Sequence, residues 1–364
     1  MASDIRRDDM EVLRLAGLSK SFGPLTAVKN AHFALESGAF AAILGPSGCG
    51  KSTILNMIAG LLHPDSGKLF LMGQDVPKST PPERRNLGLV LQRASLFPHM
   101  SVFENVAYPL RTRGVPRDRI KILVHDILDL MGIGTVVHRM PSELSGGQAQ
   151  RATLARALVF DAPLVLLDEP LSALDRPLRE SLQAELRSLR DRSDETSFLM
   201  VTHDREEAMS VADRLVLMED GEIRQIGPPE EIYWQPACRF VAEFFCNATV
   251  IVGEVGDDRV IRAVAEPRTV LHAPYYQGKL RLGTKIGVCI LPEGVGFAGP
   301  DDNDALPARV EDARFGGASI HLRLDTSLGP INARVASRLS QPIRKGDTFS
   351  IRIDPKASWV LPEA

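Results

Sequence analysis

Continuous apolar runs and helical patterns alternate along the first two thirds of the chain. Residues 164–167 and 197–201 are apolar almost throughout, which predicts central parallel strands that helices cover on both faces. Residues 176–191, which lie between these runs, predict a helix. A strand, a helix and a second strand in this order indicate a crossover between neighbouring parallel strands.

The amino-terminal part repeats this arrangement with a glycine-rich turn. Short strands are predicted at 12–18 and 31–35, and the apolar run Phe40–Leu44 is followed at once by Gly-Pro-Ser-Gly. Residues 52–62 then alternate apolar and small residues at helical spacing. The pattern therefore predicts a strand, a glycine-rich turn and a helix.

A different pattern occupies the middle of the chain, from about residue 93 to residue 160. Residues 118–131 predict an amphipathic helix, and Gly132 is a plausible carboxyl-terminal stop. The apolar face of this helix is expected to carry Ile120, Leu123, Ile127, Leu130 and Met131. This segment is predicted to be a helical insert rather than part of the sheet.

Helical patterns fade after Cys246. Short apolar stretches, Lys285–Ile290, 319–324 and Thr348–Ile353, are separated by Gly, Pro and Asp, which predicts a small all-β domain. We therefore expect an α/β domain over residues 1–244 and a β domain over residues 245–364.

The bulk properties agree with two domains and exclude some functions. A chain of 364 residues exceeds the usual size of a single core. The formal net charge of −3 provides no global basic field for nucleic acid. No apolar run approaches the roughly 18–20 residues that span a bilayer, and residues 1–10 do not resemble a secretion signal. Any role at a membrane therefore requires a partner.

The four cysteines give no sign of a metal site. Cys49, Cys238, Cys246 and Cys289 form no CxxC pair and no cluster with zinc spacing. We expect free, buried thiols.

The turn after Phe40–Leu44 carries a phosphate-binding motif of the form GxxxxGK[ST]. Its residues are Gly45, Pro46, Ser47, Gly48, Cys49, Gly50, Lys51 and Ser52. Glycines let backbone N–H groups surround phosphates, and the following helix adds its positive end. Lys51 would reach the β- and γ-phosphates, and Ser52 would bind Mg²⁺. An accidental match arises in roughly one such chain in 100, and the position between a strand and a helix favours the phosphate site.

Two carboxylates follow the strand at 164–167. Asp168 is at the position of the carboxylate that helps to hold Mg²⁺ in P-loop enzymes. Glu169 could orient and deprotonate an attacking water. The alternative, a surface acidic pair that ends a strand, is less favoured beside a phosphate-binding loop.

The pentapeptide Leu144-Ser145-Gly146-Gly147-Gln148 resembles the signature of the ABC ATPase family. The resemblance implies a P-loop NTPase fold with a helical subdomain, and ATP and Mg²⁺ as cofactors. It also implies that residues 45–53, including Thr53, hold ATP. In the family the signature loop, here Ser145, Gly146, Gly147 and Gln148, closes over the ATP of a second cassette. We therefore expect a head-to-tail homodimer.

Other positions match the family's motifs in order. The resemblance implies that Phe22 stacks on adenine, although an ordinary core phenylalanine is the alternative. It implies that Gln92 contacts Mg²⁺ and water, that 172–175 communicates across the dimer, and that His203 contacts the γ-phosphate.

Residues 96–106, 228–233 and 239–242 resemble importers for sugars, polyamines, iron and other small solutes. In that subgroup the 96–106 surface docks a cytoplasmic helix of the permease, and an OB-like β domain follows the cassette. Leu96, Phe97, Met100 and Val102 would then line the docking groove, or they are merely core. The subgroup implies a peripheral place at the cytoplasmic face of the inner membrane and an indirect extracytoplasmic solute-binding partner. Leu291-Pro292-Glu293 departs from its usual Arg-Pro-Glu.

Three alternatives stay open. A non-transport ABC ATPase usually carries two cassettes or a long coiled coil, whereas this chain has one signature and no sustained heptads. An exporter cassette does not explain the 96–106 segment or the β domain. Residues 245–364 could also act as a small-molecule sensor, which is compatible with the importer interpretation.

Overall fold

The computed structural model describes eight stretches of the chain: residues 11–92, 95–172, 174–192, 196–256, 261–271, 281–299, 304–337 and 342–361. The predictions for residues 1–10 and for Ala173 of the 172–175 loop lie outside them. The chain divides into two compact units, residues 1–229 and 230–364.

The first unit combines two sheets with six helices in its described residues. Its strands are β1 (Glu11–Phe22), β2 (Leu25–Glu36), β3 (Phe40–Leu44), β4 (Ser66–Leu71), β5 (Gln74–Asp75), β6 (Leu87–Val90), β7 (Leu164–Asp168), β8 (Ser197–Thr202), β9 (Arg214–Glu219) and β10 (Glu222–Gly227). Its helices are α1 (Lys51–Ala59), α2 (Val102–Thr112), α3 (Arg117–Leu130), α4 (Gly146–Leu158), α5 (Arg176–Arg192) and α6 (Arg205–Val211).

A six-stranded sheet in the order β10-β9-β3-β8-β7-β6 forms the centre of this unit. All its neighbouring pairs are parallel except β10 with β9. Strands β3, β7 and β8 are buried almost throughout, as their uniformly apolar sequences predict. The parallel crossover from β7 through α5 to β8 is thus confirmed.

An antiparallel sheet, β2-β1-β4-β5, packs on the other side of α1. The predicted strands at 12–18 and 31–35 are each only the middle of a 12-residue strand. Register shifts interrupt the β1–β2 pairing at four places. Because a bulge reverses the alternation of faces, the period-two pattern fails toward the strand ends.

Helices α2, α3 and α4 pack against one another and form the predicted insert. Gly132 has a φ of +64° and follows α3 closely, as a carboxyl-terminal stop should. The predicted apolar face was partly wrong. The buried positions within α3 are Ile120, Val124 and Leu128, whereas Leu123 and Ile127 are half-buried. A broad apolar arc does not reveal which of its edges the neighbouring helices will cover.

The second unit begins with two short helices and continues in strands. Helices α7 (Pro229–Trp234) and α8 (Arg239–Phe244) precede β11 (Thr249–Val255), β12 (Ile261–Ala263), β13 (Val270–Leu271), β14 (Lys285–Ile290), β15 (Val295–Phe297), β16 (Leu306–Phe315), β17 (Ser319–Thr326), β18 (Gly329–Ala336), β19 (Thr348–Ile353) and β20 (Ser358–Leu361). The sheets β13-β12-β11-β14-β20 and β15-β19-β16-β17-β18 share one apolar core.

This all-β architecture after Cys246 agrees with the fold class expected from the sequence. Helix α8 packs on β11 and β14, so the second unit extends about 15 residues upstream of the predicted start at 245. The predicted boundary followed the loss of helical pattern, whereas burial of α8 against strands decides where the compact unit begins.

No helix within the described stretches is both long and apolar enough to cross a bilayer. All four cysteines are free, and Cys49, Cys246 and Cys289 are buried, whereas Cys238 is only half-buried.

Candidate active site

The phosphate-binding motif forms the connection between β3 and α1. Gly50 has a φ of +106°, and a Cβ there would lie 2.2 Å from the carbonyl oxygen of Ala27. A Cβ on Gly45 would lie 2.2 Å from the carbonyl oxygen of Met218. Both positions therefore require glycine for steric reasons, beyond any contact with a ligand.

The residues in the middle of this loop are exposed to solvent, whereas those at its end are buried. Pro46, Ser47 and Gly48 are exposed, whereas Cys49 is buried. Burial raises the pKa of the Cys49 thiol, and the nearby Lys51 charge opposes that shift only in part. Cys49 is therefore a neutral spacer in the loop wall.

Lys51 is only 6% exposed and begins α1. Its Nζ donates to the carbonyl oxygens of Gly45 at 2.8 Å and Pro46 at 2.9 Å. Its third contact is a weak one to Cys49 Sγ at 4.0 Å, so a phosphate oxygen would be the stronger acceptor for the third ammonium hydrogen. Among the described residues no side chain caps the start of α1, so its first N–H groups also point at the loop. Thr53 lies half-buried in the same first turn.

Two of the residues that are predicted to bind Mg²⁺, Ser52 and Asp168, contact each other at the edge of the sheet. Ser52 Oγ donates to Asp168 Oδ1 at 3.1 Å. Burial is the main cause that raises the pKa of Asp168; the Ser52 hydrogen bond and the Lys51 charge act against it, and the Glu169 charge adds to it. A hydroxyl, a carboxylate and the amide oxygen of Gln92 are hard oxygen donors of the type that Mg²⁺ prefers, so this donor set fits the ion.

Glu169 contacts two other residues that the sequence predicts for the site, Gln92 and His203. Gln92 Nε2 donates to Glu169 Oε2 at 2.9 Å, and His203 Nδ1 lies 3.2 Å from Glu169 Oε1. The backbone of Glu169 has a φ of +46°, a left-handed conformation that costs a non-glycine residue about 1–3 kcal/mol. Its N–H donates to the carbonyl oxygen of Val201 at 2.9 Å, which fixes this strained residue to β8.

Phe22 ends β1 and is 49% exposed. An ordinary core phenylalanine would be buried, so that alternative does not apply. Lys20 Nζ lies 5.6 Å from the centroid of the Phe22 ring. The ring is therefore an accessible apolar platform with a cation beside it.

The signature residues form the start of α4. Ser145 caps the helix: its hydroxyl accepts from Gln148 N at 3.3 Å, and Gln148 Oε1 accepts from Ser145 N at 3.1 Å. Ser145 and Gly146 are exposed. A Cβ on Gly147 would lie 2.2 Å from Leu178 Cδ2, so Gly147 also permits close packing of α4 on α5.

Two buried polar residues that support the site were not predicted. Gln150 on α4 is 4% exposed, and its Nε2 donates to the carbonyl oxygen of Pro170, next to Glu169, at 2.8 Å. Arg85 is 3% exposed and donates to the carbonyl oxygens of Met57 and Ile58 near the end of α1, each at 2.7 Å. The only sequence signal is a polar residue inside an apolar pattern, which does not name its acceptor.

Comparisons with known proteins agree with this geometry. The family model "ABC transporter" matches residues 28–172, and the model "TOBE domain" matches residues 288–361. The spermidine/putrescine import ATP-binding protein PotA of Marinobacter nauticus is 40% identical, covering 96% of this chain and 93% of its own length. The chain belongs to the ABC transporter family.

Other relatives of this ABC protein are also import ATP-binding proteins. The Fe(3+) ions import ATP-binding protein FbpC of Agrobacterium fabrum is 38% identical over 86% of this chain and 87% of its own length. The sulfate/thiosulfate import ATP-binding protein CysA 2 of Chromobacterium violaceum is 44% identical over 86% and 84%. A dimeric bacterial ABC transporter cassette, MJ0796, superimposes with a TM-score of 0.55 at 29% identity over 59% of this chain and 98% of that one. The expected likeness to importer ATPases with a carboxyl-terminal OB-like domain is confirmed.

We predict that Lys51→Ala will weaken ATP binding by about 10- to 100-fold, because a charge-assisted hydrogen bond to phosphate contributes about 1.5–3 kcal/mol. Titration with a fluorescent ATP analogue measures this effect. Lys68→Ala is the matched control, because Lys68 is exposed and forms an ion pair with Asp75, away from the loop. Near-normal affinity of the Lys51 variant would contradict the phosphate assignment.

Proposed function

We propose that this chain is the ATP-binding and ATP-hydrolysing subunit that powers an ABC importer for a small solute. The observation that carries the proposal is the arrangement of Glu169 between Gln92 and His203, beside the Ser52–Asp168 pair. A carboxylate held by two polar side chains next to a phosphate loop is suited to activate water.

ATP binds between Phe22 and the loop at residues 45–53. The exposed Phe22 ring stacks on adenine. Backbone N–H groups of the loop and of the first turn of α1 hold the phosphates, and Lys51 offsets the charge that develops on them.

Ser52, Asp168 and Gln92 would hold Mg²⁺. When bound, this ion supplies positive charge to the phosphate oxygens. The amide nitrogen of Gln92 already donates to Glu169, so its oxygen is the atom left to face the cation. Gln92 thereby couples the position of the cation to that of Glu169.

Glu169 takes the proton from the water that attacks the γ-phosphate. Gln92 and His203 each hold one of its two oxygens, which limits rotation of the carboxylate. Since Nδ1 of His203 faces Glu169, its Nε2 is the ring atom that is left to contact the γ-phosphate. The strained backbone of Glu169 keeps the carboxylate at this point of the sheet edge.

A second copy of the chain completes the site. Ser145 and Gly146 lie exposed at the amino-terminal end of α4, where a helix dipole favours an anion. Across a head-to-tail homodimer, Ser145 to Gln148 cover the ATP of the other subunit. The dimeric state of the similar cassette supports this arrangement.

The helical insert docks on an integral-membrane permease at the cytoplasmic face of the inner membrane. Leu96, Phe97 and Met100 are half-buried and suit an amphipathic partner helix. Val102 is fully buried and belongs to the core instead. Asn105 holds this surface in shape, because its side chain bonds the backbone of Phe97 at both N–H and C=O.

The importer reading is preferred over an exporter or a non-transport ATPase. The curated relatives described above are import ATP-binding proteins for iron, polyamines and sulfate or thiosulfate, and the TOBE match covers much of the β domain. An extracytoplasmic solute-binding protein acts with the permease and never contacts this chain. Polyamine, ferric iron, sugar and phosphonate importers all fit the cassette.

A cavity favours a second, compatible role for the β domain as a sensor. A cavity of about 310 Å³ opens between its two sheets, lined by Arg268, Arg352 and Asp304 and by an apolar wall that includes Leu271 and Val288. Across the stretches that the structure describes, neither arginine has an ion-pair partner. Two guanidinium groups against one carboxylate leave the lining with a net positive charge beside an apolar wall, which suits a small organic anion.

We predict that Glu169→Gln will lower ATP hydrolysis at least about 100-fold, because a general base contributes about that factor. The variant should retain ATP and accumulate as a dimer at micromolar concentration, which analytical ultracentrifugation measures. Glu36→Gln, at an exposed position of β2, should behave as wild type. A Glu169 variant that stays monomeric with ATP would contradict the closure model.

We expect tagged Glu169→Gln protein, isolated from its native membranes with ATP, to bring down a permease and a solute-binding protein. Mass spectrometry identifies them, and Lys51→Ala protein is the control that should not close on ATP. Ribosomal or DNA-bound partners without a permease would contradict transport while leaving the ATPase assignment intact.

Citrate is a suitable probe for the cavity. We predict that the full chain, saturated with ADP to block the phosphate loop, will bind citrate in calorimetric titration. Arg352→Ala should weaken that binding at least about tenfold, whereas Arg314→Ala, an exposed arginine paired with Asp312, should not. Absence of heat, or equal binding by both variants, would count against the sensor role.

A further inference from the structure

The hydroxyl group of Thr202, the residue before His203, forms hydrogen bonds with two residues that follow His203. Thr202, the last residue of β8, is 1% exposed. Its Oγ1 donates to Glu207 Oε2 at 2.5 Å and accepts from the backbone N–H of Asp204 at 3.0 Å. The second bond closes a tight turn around His203. The first bond commits the hydroxyl hydrogen to Glu207, which leaves the oxygen lone pairs to Asp204.

The same turn is connected to the loop at 172–175. Asp204 Oδ1 caps α6 by accepting from the backbone N–H groups of Glu206 and Glu207. Asp204 Oδ2 accepts from Arg179 Nη1 at 3.4 Å, and Arg179 Nη2 donates to the carbonyl oxygen of Leu174 at 3.2 Å. A continuous polar path therefore runs from Leu174, through α5, to the turn that carries His203.

Burial of the Glu207 carboxylate at this place costs folding free energy. It is 4% exposed, and its Oε1 has no hydrogen-bond partner among the residues that the structure describes. Arg179 Nε is also buried without a hydrogen-bond partner among the described residues. An apolar residue on this face of α6 would pack against β3 and β8 without desolvating a carboxylate. A stability role alone does not account for Glu207.

We propose that Glu207 is a positioning residue for ATP hydrolysis: through Thr202 it holds the turn at 202–204, and so holds His203 against Glu169. Asp204 and Arg179 tie the same turn to the loop at 172–175. This inference rests on the proposed function, because it assigns a support to the His203–Glu169 contact of the same site.

The charges around Glu207 predict how its contribution to folding stability changes with pH. Burial raises its pKa to about 7 from 4.5; Thr202 opposes the shift, Asp204 adds to it, and Arg179 and His203 oppose it. Strands β3 and β8 contribute no charged residue to this face. Because the folded-state pKa is raised, Glu207 favours folding most below pH 4.5, and this contribution is lost as the pH rises through about 7.

The test compares side chains that keep or remove the hydrogen-bond acceptor. In the full chain we expect Glu207→Leu to lower kcat by about 10- to 100-fold, since small misplacements of a supporting group have effects of this size. Its KM for ATP should change less than kcat, because Phe22 and the loop at residues 45–53, which make the other nucleotide contacts, are not altered. Glu207→Gln keeps an acceptor for Thr202 and should retain kcat within about threefold.

Thermal unfolding separates positioning from mere support of the fold. The midpoint of Glu207→Leu should equal or exceed that of wild type at pH 8, because the buried charge is gone. The midpoint of Glu207→Gln relative to wild type should rise between pH 5.5 and pH 8.5. Glu206→Leu is the matched control, because Glu206 is the exposed neighbour and its side chain is outside the network.

A second pair of variants covers a failure of Glu207→Leu to fold. Thr202→Ser retains the hydroxyl and should retain kcat, whereas Thr202→Val removes it with little change in shape and should lose kcat. Wild-type kcat in Glu207→Leu or in Thr202→Val would overturn the proposal, and so would loss of kcat in parallel with stability. If Glu169→Gln and Lys51→Ala are also active, the proposed function itself fails; if they are inactive, only this inference does.

Discussion

The parallel register of β3, β8, β7 and β6 is the constraint on which the site depends. Leu44 pairs with Thr202, and Asp168 pairs with Val201, so the carboxyl ends of these strands lie at one edge of the sheet. The residues that follow each strand are thereby gathered from distant parts of the sequence. A shift of one strand by two residues would keep its buried pattern and would separate Glu169 from His203.

Burial and strain then adapt this edge to phosphate chemistry. The phosphate loop turns Lys51 inward against two carbonyl groups, while the raised pKa of Asp168 records the cost of holding a carboxylate without full hydration. Glu169, which follows Asp168, adopts a left-handed backbone. These features each lower stability when taken alone, and apolar burial of β3, β7, β8 and α1 offsets them. A strained, polar edge on a well-packed sheet is a common arrangement for functional residues.

Buried polar side chains connect this edge to the rest of the first unit. Gln150 joins the signature helix to the carbonyl group beside Glu169, and Asn105 orders the surface at residues 96–101. Glu207 holds the turn at His203 through Thr202, and Arg179 joins that turn to the loop at 172–175. Because such groups are costly unless they are paired, their geometry is well defined. They form a physical path from the edge of the site to the helical insert and to the loop at 172–175.

The sequence by itself determined the phosphate loop, the buried parallel strands and the change to an all-β unit, because these depend on glycine spacing and on apolar runs that need no distant partner. It also marked Asp168, Glu169 and His203 through the strands that precede them. The tertiary structure decided the covered face of α3, the ends of β1 and β2, and the acceptors of Gln150, Arg85 and Glu207. These depend on which neighbour a residue meets, and a local pattern carries no information about contacts made across the fold.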